Sequence, residues 1–242
     1  MKLIKVSATD STNLHLKRML QDTPMEDYTV LVAEKQLQGR GQGGAYWASE
    51  GGKNLTFSVL KCHKELQARD QFFVSMAVSL GIYKALSSLQ IPELSIKWPN
   101  DILSGRKKLC GILIENIVKG SSLKNSILGI GLNVNQESFD SLPNAASLKQ
   151  ITAKHYDPDV LLIDILLNIK KQMEFLEVKK LKVLEKEYQQ LLFRKDVPSV
   201  YTVKGIEIKG TIRGVNKAGQ LLLEQESRGI TAYGFKEIAY GY

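Results

Sequence analysis

The segment from Gln36 to Lys53, QLQGRGQGGAYWASEGGK, carries Gly39, Gly41, Gly43, Gly44, Gly51 and Gly52 and no apolar period that a helix or strand could use. It must be a loop, and it is too long and too rich in glycine for plain connection. Apolar runs of strand length flank it, Tyr28 to Glu34 before and Asn54 to Leu60 after. Glycine lets backbone amides approach an anion closely, and Arg40 can reach phosphate or carboxylate from a mobile loop that orders when ligand arrives. Taken alone, the segment equally fits a flexible surface loop. No Gly-Lys-Ser/Thr closes it and a strand follows it, so neither a Walker-type phosphate loop nor a dinucleotide fingerprint fits.

The surrounding pattern mixes both periodicities. Residues 1–6 read as a strand, and Asp10 or Ser11 can cap a helix through Leu14, Leu16, Met19 and Leu20 that stops before Thr23-Pro24. Gln71 to Leu89 has the spacing of an amphipathic helix. Leu94 to Trp98, Asp101 to Leu103, Leu109 to Asn116 and Ser126 to Asn133 are strand-like, with turns at Ser104-Gly105 and Gly120-Ser121-Ser122. Asp159 to Leu192 holds two helical patterns. Beyond Arg194 short strands follow at close spacing, which predicts a small antiparallel barrel packed directly on the first part.

The 242 residues are enough for one sizeable core and a small second one, and no run approaches the roughly 20 apolar residues of a membrane-spanning helix. The start has no run of signal-peptide length, so a cytoplasmic protein without membrane partners is expected. Cys62 and Cys110 have no metal-type spacing to His15, His63 or His155, which implies neither a disulfide framework nor a zinc site. A net charge of +8 calls for an anionic partner without naming it.

A second chemical element is Lys97-Trp98-Pro99-Asn100-Asp101, with Lys108 on the returning hairpin in Lys107-Lys108-Leu109-Cys110-Gly111. Two cations and a carboxylate then share one place. Such a group suits a reaction that builds negative charge beside phosphate, with lysine stabilising the transition state and Asp101 holding Mg²⁺ or orienting a nucleophile. An ordinary basic surface hairpin would look the same from this segment alone.

Taken in order, Ser11-Thr12-Asn13, the Gly-Arg-Gly loop with Trp47 and Ser49, Lys97-Trp98-Pro99-Asn100-Asp101, Lys108 to Leu113 and Gly129-Ile130-Gly131-Leu132-Asn133 resemble the biotin protein ligases. The resemblance runs from Ser11 to about Asn133 and is weak beyond. It implies an ATP-dependent ligase that makes biotinyl-5′-AMP and pyrophosphate from biotin and ATP, then passes biotin to a lysine of a biotin carboxyl carrier domain, as in acetyl-CoA carboxylase. Ser11, Thr12, Asn13 and Gln36, with Gly39 and Arg40, match biotin-binding positions, and short hydroxyls and amides suit a neutral two-sided ureido ring. Gly111, Ile112 and Leu113 match the pocket wall. Arg40, Gly41, Trp47, Lys97, Asn100 and Asn133 match positions around ATP and the adenylate, and Lys108 matches the lysine that bridges biotin carboxylate and α-phosphate. Lys108, Arg40 and Asp101 are the catalytic candidates, with Asn100 and Asp101 near Mg²⁺. Trp98 and Cys110 read as packing residues.

The fold so implied is α+β, a class II synthetase-like biotin/lipoate ligase fold. A mixed-sheet catalytic domain with helices largely on one face spans 1–193, and an SH3-like β-barrel spans 194–242. The resemblance leaves monomer and homodimer open. Gln42, Gly43 and Ala45 stand where many bacterial members have cations, and Ala146 replaces a threonine. Some members carry a DNA-binding winged helix before the ligase; only ten residues precede Ser11 here, so DNA is not an expected partner. Two other classes compete: a lipoate or octanoate ligase or transferase of the same fold, which would bind a long acyl chain, and a non-catalytic basic module docking RNA or an acidic protein through the terminal barrel.

Overall fold

The structure, a computed structural model, describes residues 1–139 and 142–241. Seven strands form one sheet: β1 (Lys2–Thr9), β2 (Thr29–Gln36), β3 (Leu55–Cys62), β4 (Leu94–Lys97), β5 (Asp101–Ser104), β6 (Lys107–Lys119) and β7 (Ser122–Leu132). Their spatial order is β1-β2-β3-β7-β6-β5-β4. The β1–β2 pair is parallel and the other ladders are antiparallel, so the sheet is mixed. Gly105 and Gly120 turn the β5–β6 and β6–β7 hairpins with positive φ, as the sequence requires.

Alternate residues of the central strands feed two different cores. Leu31, Leu60 and Ile127 face helix α1 (Thr12–Asp22) and pack on Leu16. Val30, Phe57, Val59, Leu128 and Ile130 face the other way, towards α2 (Phe72–Ser88), α4 (Pro158–Glu177) and α5 (Leu181–Gln190). Helices therefore lie largely on one face, with α1 alone on the other among these four. Strand β3 is buried along almost its whole length because both faces are covered.

Helix α2 is buried nearly all round rather than along one stripe. It lies between the sheet and α4, and Gly81 lets the two helix backbones meet: a Cβ there would stand 2.6 Å from Ile169 Cα. Short α3 (Leu148–Thr152), closed by a Ser147–Gln150 capping box, was not evident from periodicity.

The C-terminal segment forms a second, antiparallel sheet from β8 (Pro198–Val203), β9 (Ile206–Val215), β10 (Leu221–Gln225), β11 (Gly229–Tyr233) and β12 (Ile238–Tyr240), in the order β11-β10-β9-β8-β12. No ladder joins β11 to β12 among the described residues, so the sheet is open. Its inner residues Tyr201, Ile212, Val215 and Leu221 belong to the main core. Trp98 is buried as a packing residue and donates from Nε1 to Gly219 O at 2.9 Å, fixing the second sheet beside the β4–β5 turn. No helix of the described residues is long and apolar enough to cross a membrane.

Candidate functional site

On the α1 face, β6 and β7 carry glycine at three neighbouring positions, 111, 129 and 131. Gly111 pairs with Gly131 and Leu113 with Gly129 across β6–β7, while Thr56 and Ser58 of β3 oppose Gly131 and Gly129. The result is a depression floored by glycine. A Cβ on Gly131 would stand 2.3 Å from Trp47 Cε2, one on Gly111 2.8 Å from Trp47 Cζ3, and one on Gly129 2.4 Å from Asn13 Oδ1. A cavity of about 180 Å³ remains over this floor.

One end of the cavity is polar and lined mainly by hydroxyls and amides. Ser11, Thr12 and Asn13 are buried at the start of α1, beside Gln36 at the end of β2. Ser11 occupies the N-cap position, yet its hydroxyl makes no cap bond. Instead Gln36 Oε1 accepts from Thr12 N at 2.8 Å and lies 3.2 Å from Thr12 Oγ1. The expected cap is thus replaced by the side-chain amide of Gln36 from the end of β2, which leaves the Ser11 hydroxyl on the cavity wall. Ser58 Oγ sits 2.7 Å from Thr12 Oγ1 and 2.6 Å from Asn13 Oδ1. Asn13 Nδ2 donates to Leu113 O at 3.1 Å and Glu115 Oε2 at 2.9 Å, which fixes the direction of its amide.

The other end is charged. Register brings Asp101 opposite both Lys97 and Gly111, and Lys108 Nζ lies 2.6 Å from Asp101 Oδ1 with both side chains shielded. Lys108 Nζ also sits 5.6 Å from the Trp47 ring centre, within cation–π range. Asn100 Nδ2 donates to Ile112 O at 2.8 Å, so its amide nitrogen braces β6 while its side chain still borders the cavity. A second cavity, about 350 Å³, adjoins here and shares Tyr46, Trp47, Asp101 and Lys108. Lys108 stands where the two meet.

The glycine-rich segment folds over the floor as a flap. Arg40 and Tyr46 form an isolated antiparallel bridge, Trp47 N donates to Gly39 O at 3.0 Å and Gly41 N to Ala45 O at 2.7 Å. The tip turns through Gly43 and Gly44, both with positive φ. Lys236, in the turn between β11 and β12, donates to Gly43 O at 2.9 Å, and Phe235 of the same turn borders the first cavity. Trp47 Nε1 is a buried donor without an acceptor among the described residues.

Of the residues singled out in the sequence, Ser11, Thr12, Asn13, Gln36, Arg40 and Gly41 border the first cavity, as do Trp47, Asn100, Asp101, Lys108, Gly111, Ile112 and Leu113. Lys97 and Asn133 border the second cavity instead. Asn133 is buried, and its Nδ2 donates to Ala146 O at 3.1 Å and lies 3.4 Å from Lys108 O, tying the segment before α3 to the Lys108 strand. Gly39 borders neither cavity; it is buried, and Trp47 O packs so closely that a Cβ there would stand 2.3 Å from it. Ser58 and Glu115 escaped the sequence reading. Ser58 lies in an apolar strand and Glu115 beyond the motif that drew attention; Phe235 reaches the first cavity from the turn between β11 and β12.

Metal chemistry has limited support from protein groups alone. No cluster of three or more His, Cys, Asp or Glu side chains suited to a metal occurs among the described residues. Asp101 and the Oδ1 of Asn100 could still supply one or two oxygens to a hard cation whose remaining ligands came from phosphate and water, which is the usual way Mg²⁺ binds.

A glycine-floored slot with hydroxyls and amides at one end and a lysine–carboxylate pair at the other defines a small-molecule site for a ligand with an uncharged polar head and an anionic tail. The chain belongs to the biotin/lipoate A/B protein ligase family, whose model matches residues 6–133. It is 35% identical over 150 residues to the bifunctional ligase/repressor BirA of Bacillus spizizenii, covering 60% of this chain and 45% of that protein. It is 34% identical over 146 residues to the biotin–acetyl-CoA-carboxylase ligase of Mycobacterium tuberculosis, covering 59% and 53%. These alignments span about half of each curated relative. Among solved structures, the biotin protein ligase from Aquifex aeolicus in complex with biotin and ATP superposes with a TM-score of 0.82 at 28% identity, covering 99% of both chains.

Proposed function

We propose that this protein is an ATP-dependent biotin ligase that joins biotin to AMP and then transfers the biotinyl group to a lysine of a biotin carboxyl carrier domain. One observation carries this: Lys108 stands at the junction of a cavity ending in hydroxyls and amides and a second, larger cavity also bordered by Lys97 and Arg106, cations that phosphate would engage. The family membership and the Aquifex aeolicus complex with biotin and ATP support it.

A carboxylate is a poor acyl donor until it has a good leaving group. In the first step a biotin carboxylate oxygen attacks the α-phosphorus of ATP, and the bond to the β-phosphate oxygen breaks to release pyrophosphate. Lys108 offsets the charge on both reactants as they approach, and Asp101 holds its ammonium in place. Ser11, Thr12, Asn13 and Gln36 take the ureido ring, while Gly111, Ile112 and Leu113 line the path of the valeryl chain. Trp47 partitions the two cavities and packs towards the adenine side; Lys97, Asn100 and Asn133 wall the nucleotide end. Arg40, on the flap with Gly39 and Gly41, retains the adenylate. In the second step the carrier lysine attacks the acyl carbon, AMP leaves and the amine loses a proton, with Asp101 placed to orient that amine. Asp101 and Asn100 are the residues that would hold Mg²⁺, which when bound would offset charge on the triphosphate.

We infer the same partition as in the sequence: a catalytic domain over 1–193 and an SH3-like curl of the second sheet over 194–242, in a cytoplasmic enzyme. The basic surplus outside the site is available to an acidic carrier domain. A lipoate or octanoate ligase is less well supported, because the head end of the cavity is lined by hydroxyls and amides rather than by apolar groups. Calorimetric titration tests the substrate class. Biotin should release heat on its own and bind more tightly with ATP present; heat from octanoate or lipoate but none from biotin would overturn the proposal.

A further inference from the structure

Arg40 is the only arginine of the glycine-rich flap, and it does not lie with Lys108. Its Nη1 is 3.9 Å from Glu115 Oε1, at ion-pair distance without a direct hydrogen bond. Lys108, by contrast, leans towards Gly111, its Nζ 3.3 Å from where a Cβ would stand on that residue. Gly111 and Glu115 are four residues apart on β6, about 13 Å at the rise of a strand. The flap arginine therefore sits at the head-group end of the site, away from the lysine at the phosphate end.

Glu115 has a second partner. Its Oε2 accepts from Asn13 Nδ2 at 2.9 Å, and Asn13 is buried against Ser58 and Leu113. One carboxylate thus holds the flap cation with one oxygen and the head-group amide with the other. The Arg40 contact is long and its guanidinium is half exposed, so it can be exchanged for phosphate at little cost.

We propose that Glu115 is a positioning residue that parks Arg40 at the head-group end and competes with phosphate for it. A ligand that engages Asn13 loosens the carboxylate and frees Arg40 to swing to the nucleotide. This rests on the function proposed above. Glu115 touches no reacting atom; it acts through Arg40.

The test is a double-mutant cycle on the full chain, reading biotin-dependent pyrophosphate release at varied ATP. Glu115→Gln keeps an acceptor for Asn13 but removes the charge facing Arg40, and it should lower the KM for ATP at least threefold, with a smaller change in kcat. In an Arg40→Met background the same substitution should leave KM for ATP within 1.5-fold of Arg40→Met alone, as expected for one shared interaction. Glu115→Asp, which keeps the charge, should restore most of the parental KM. An unchanged KM in Glu115→Gln, or an equal fall with and without Arg40, would overturn the proposal. Absence of biotin-dependent pyrophosphate release in the parent chain would instead overturn the function on which it rests.

Discussion

Replacing Gly131 with alanine separates the floor of the site from the fold that supports it. Gly131 lies in β7, laddered to β3 and β6, and its φ is not positive, so its backbone accepts any residue. Alanine there should stabilise the chain by about 0.4–1 kcal/mol through the unfolded state. The new methyl group would stand 2.3 Å from Cε2, 2.5 Å from Cζ2 and 2.7 Å from Nε1 of Trp47. Carbon atoms settle at about 3.5–4.0 Å, so the indole must withdraw by about 1 Å or more. Trp47 is on the flap and only half buried, so it can move without opening the core. The floor rises by one methyl group. An intrusion of that size into a binding pocket changes transition-state binding by about 1–3 kcal/mol, or roughly 10- to 200-fold. Pyrophosphate release measured against biotin should therefore show kcat/KM reduced within that range. Scanning calorimetry should show a melting temperature within about 4 °C of the parent, since 1 kcal/mol moves a domain of this size by about 2–4 °C. A kcat/KM within twofold of the parent would refute the placement of the substrate over this glycine floor. A melting temperature lower by about 10 °C would show that Gly131 serves the core instead.

Three further outcomes are expected. Lys108→Ala should cut biotin-dependent pyrophosphate release by about 10²- to 10³-fold, the range for removing one donor aimed at developing charge, while the far-ultraviolet circular dichroism stays parental; release at the parental rate would remove Lys108 from the chemistry. Arg40→Gly should let biotinyl-AMP escape and label bystander lysines on an added unrelated protein, detected with streptavidin; labelling confined to the carrier domain would exclude a retaining role. Burial lowers the pKa of His63 from 6.5 to about 4, with its Nε2 2.9 Å from Ser126 Oγ. The unfolded chain then binds more protons between those values, so stability is complete above the unfolded pKa and is lost as pH falls towards 4. By pH 5 this one group should cost about 2 kcal/mol, and His63→Gln should abolish that part of the loss in urea titrations at pH 7.5 and 5. Equal pH slopes for variant and parent would show that His63 does not report on folding.

Much of the framework could be read from periodicity. The apolar runs at Val30–Ala33 and Asn54–Leu60 do become neighbouring strands, and the glycine-rich segment between them does cover a cavity. Element ends were less legible, because β6 runs past Asn116 and β7 begins before Ser126, in a hairpin whose outer pairs mix apolar and polar residues, Val118 with Leu123 and Lys119 with Ser122. The burial of α2 on all sides was hidden too, since a helix between a sheet and another helix needs no polar face. Short elements such as α3 and β12 give no period to detect.

The site shows the same division. Motif order found the residues on α1, the flap and the Lys108 hairpin, and these do converge. It could not find Ser58, which looks like any small residue in a buried strand, nor Glu115, whose role depends on Arg40 and Asn13 arriving from distant parts of the chain. Sequence alone also gave Gly129 and Gly131 no physical task. The distances from their absent Cβ atoms to Asn13 and Trp47 supply one.

Activation of biotin on ATP in this cavity is the step on which the proposed function stands. Pyrophosphate release by the full chain, with ATP and either biotin, octanoate, lipoate or no acid, tests it most directly. Release that requires biotin and is not supported by the other two acids is the predicted result. Release with octanoate or lipoate but not with biotin, or none with any acid, would contradict it.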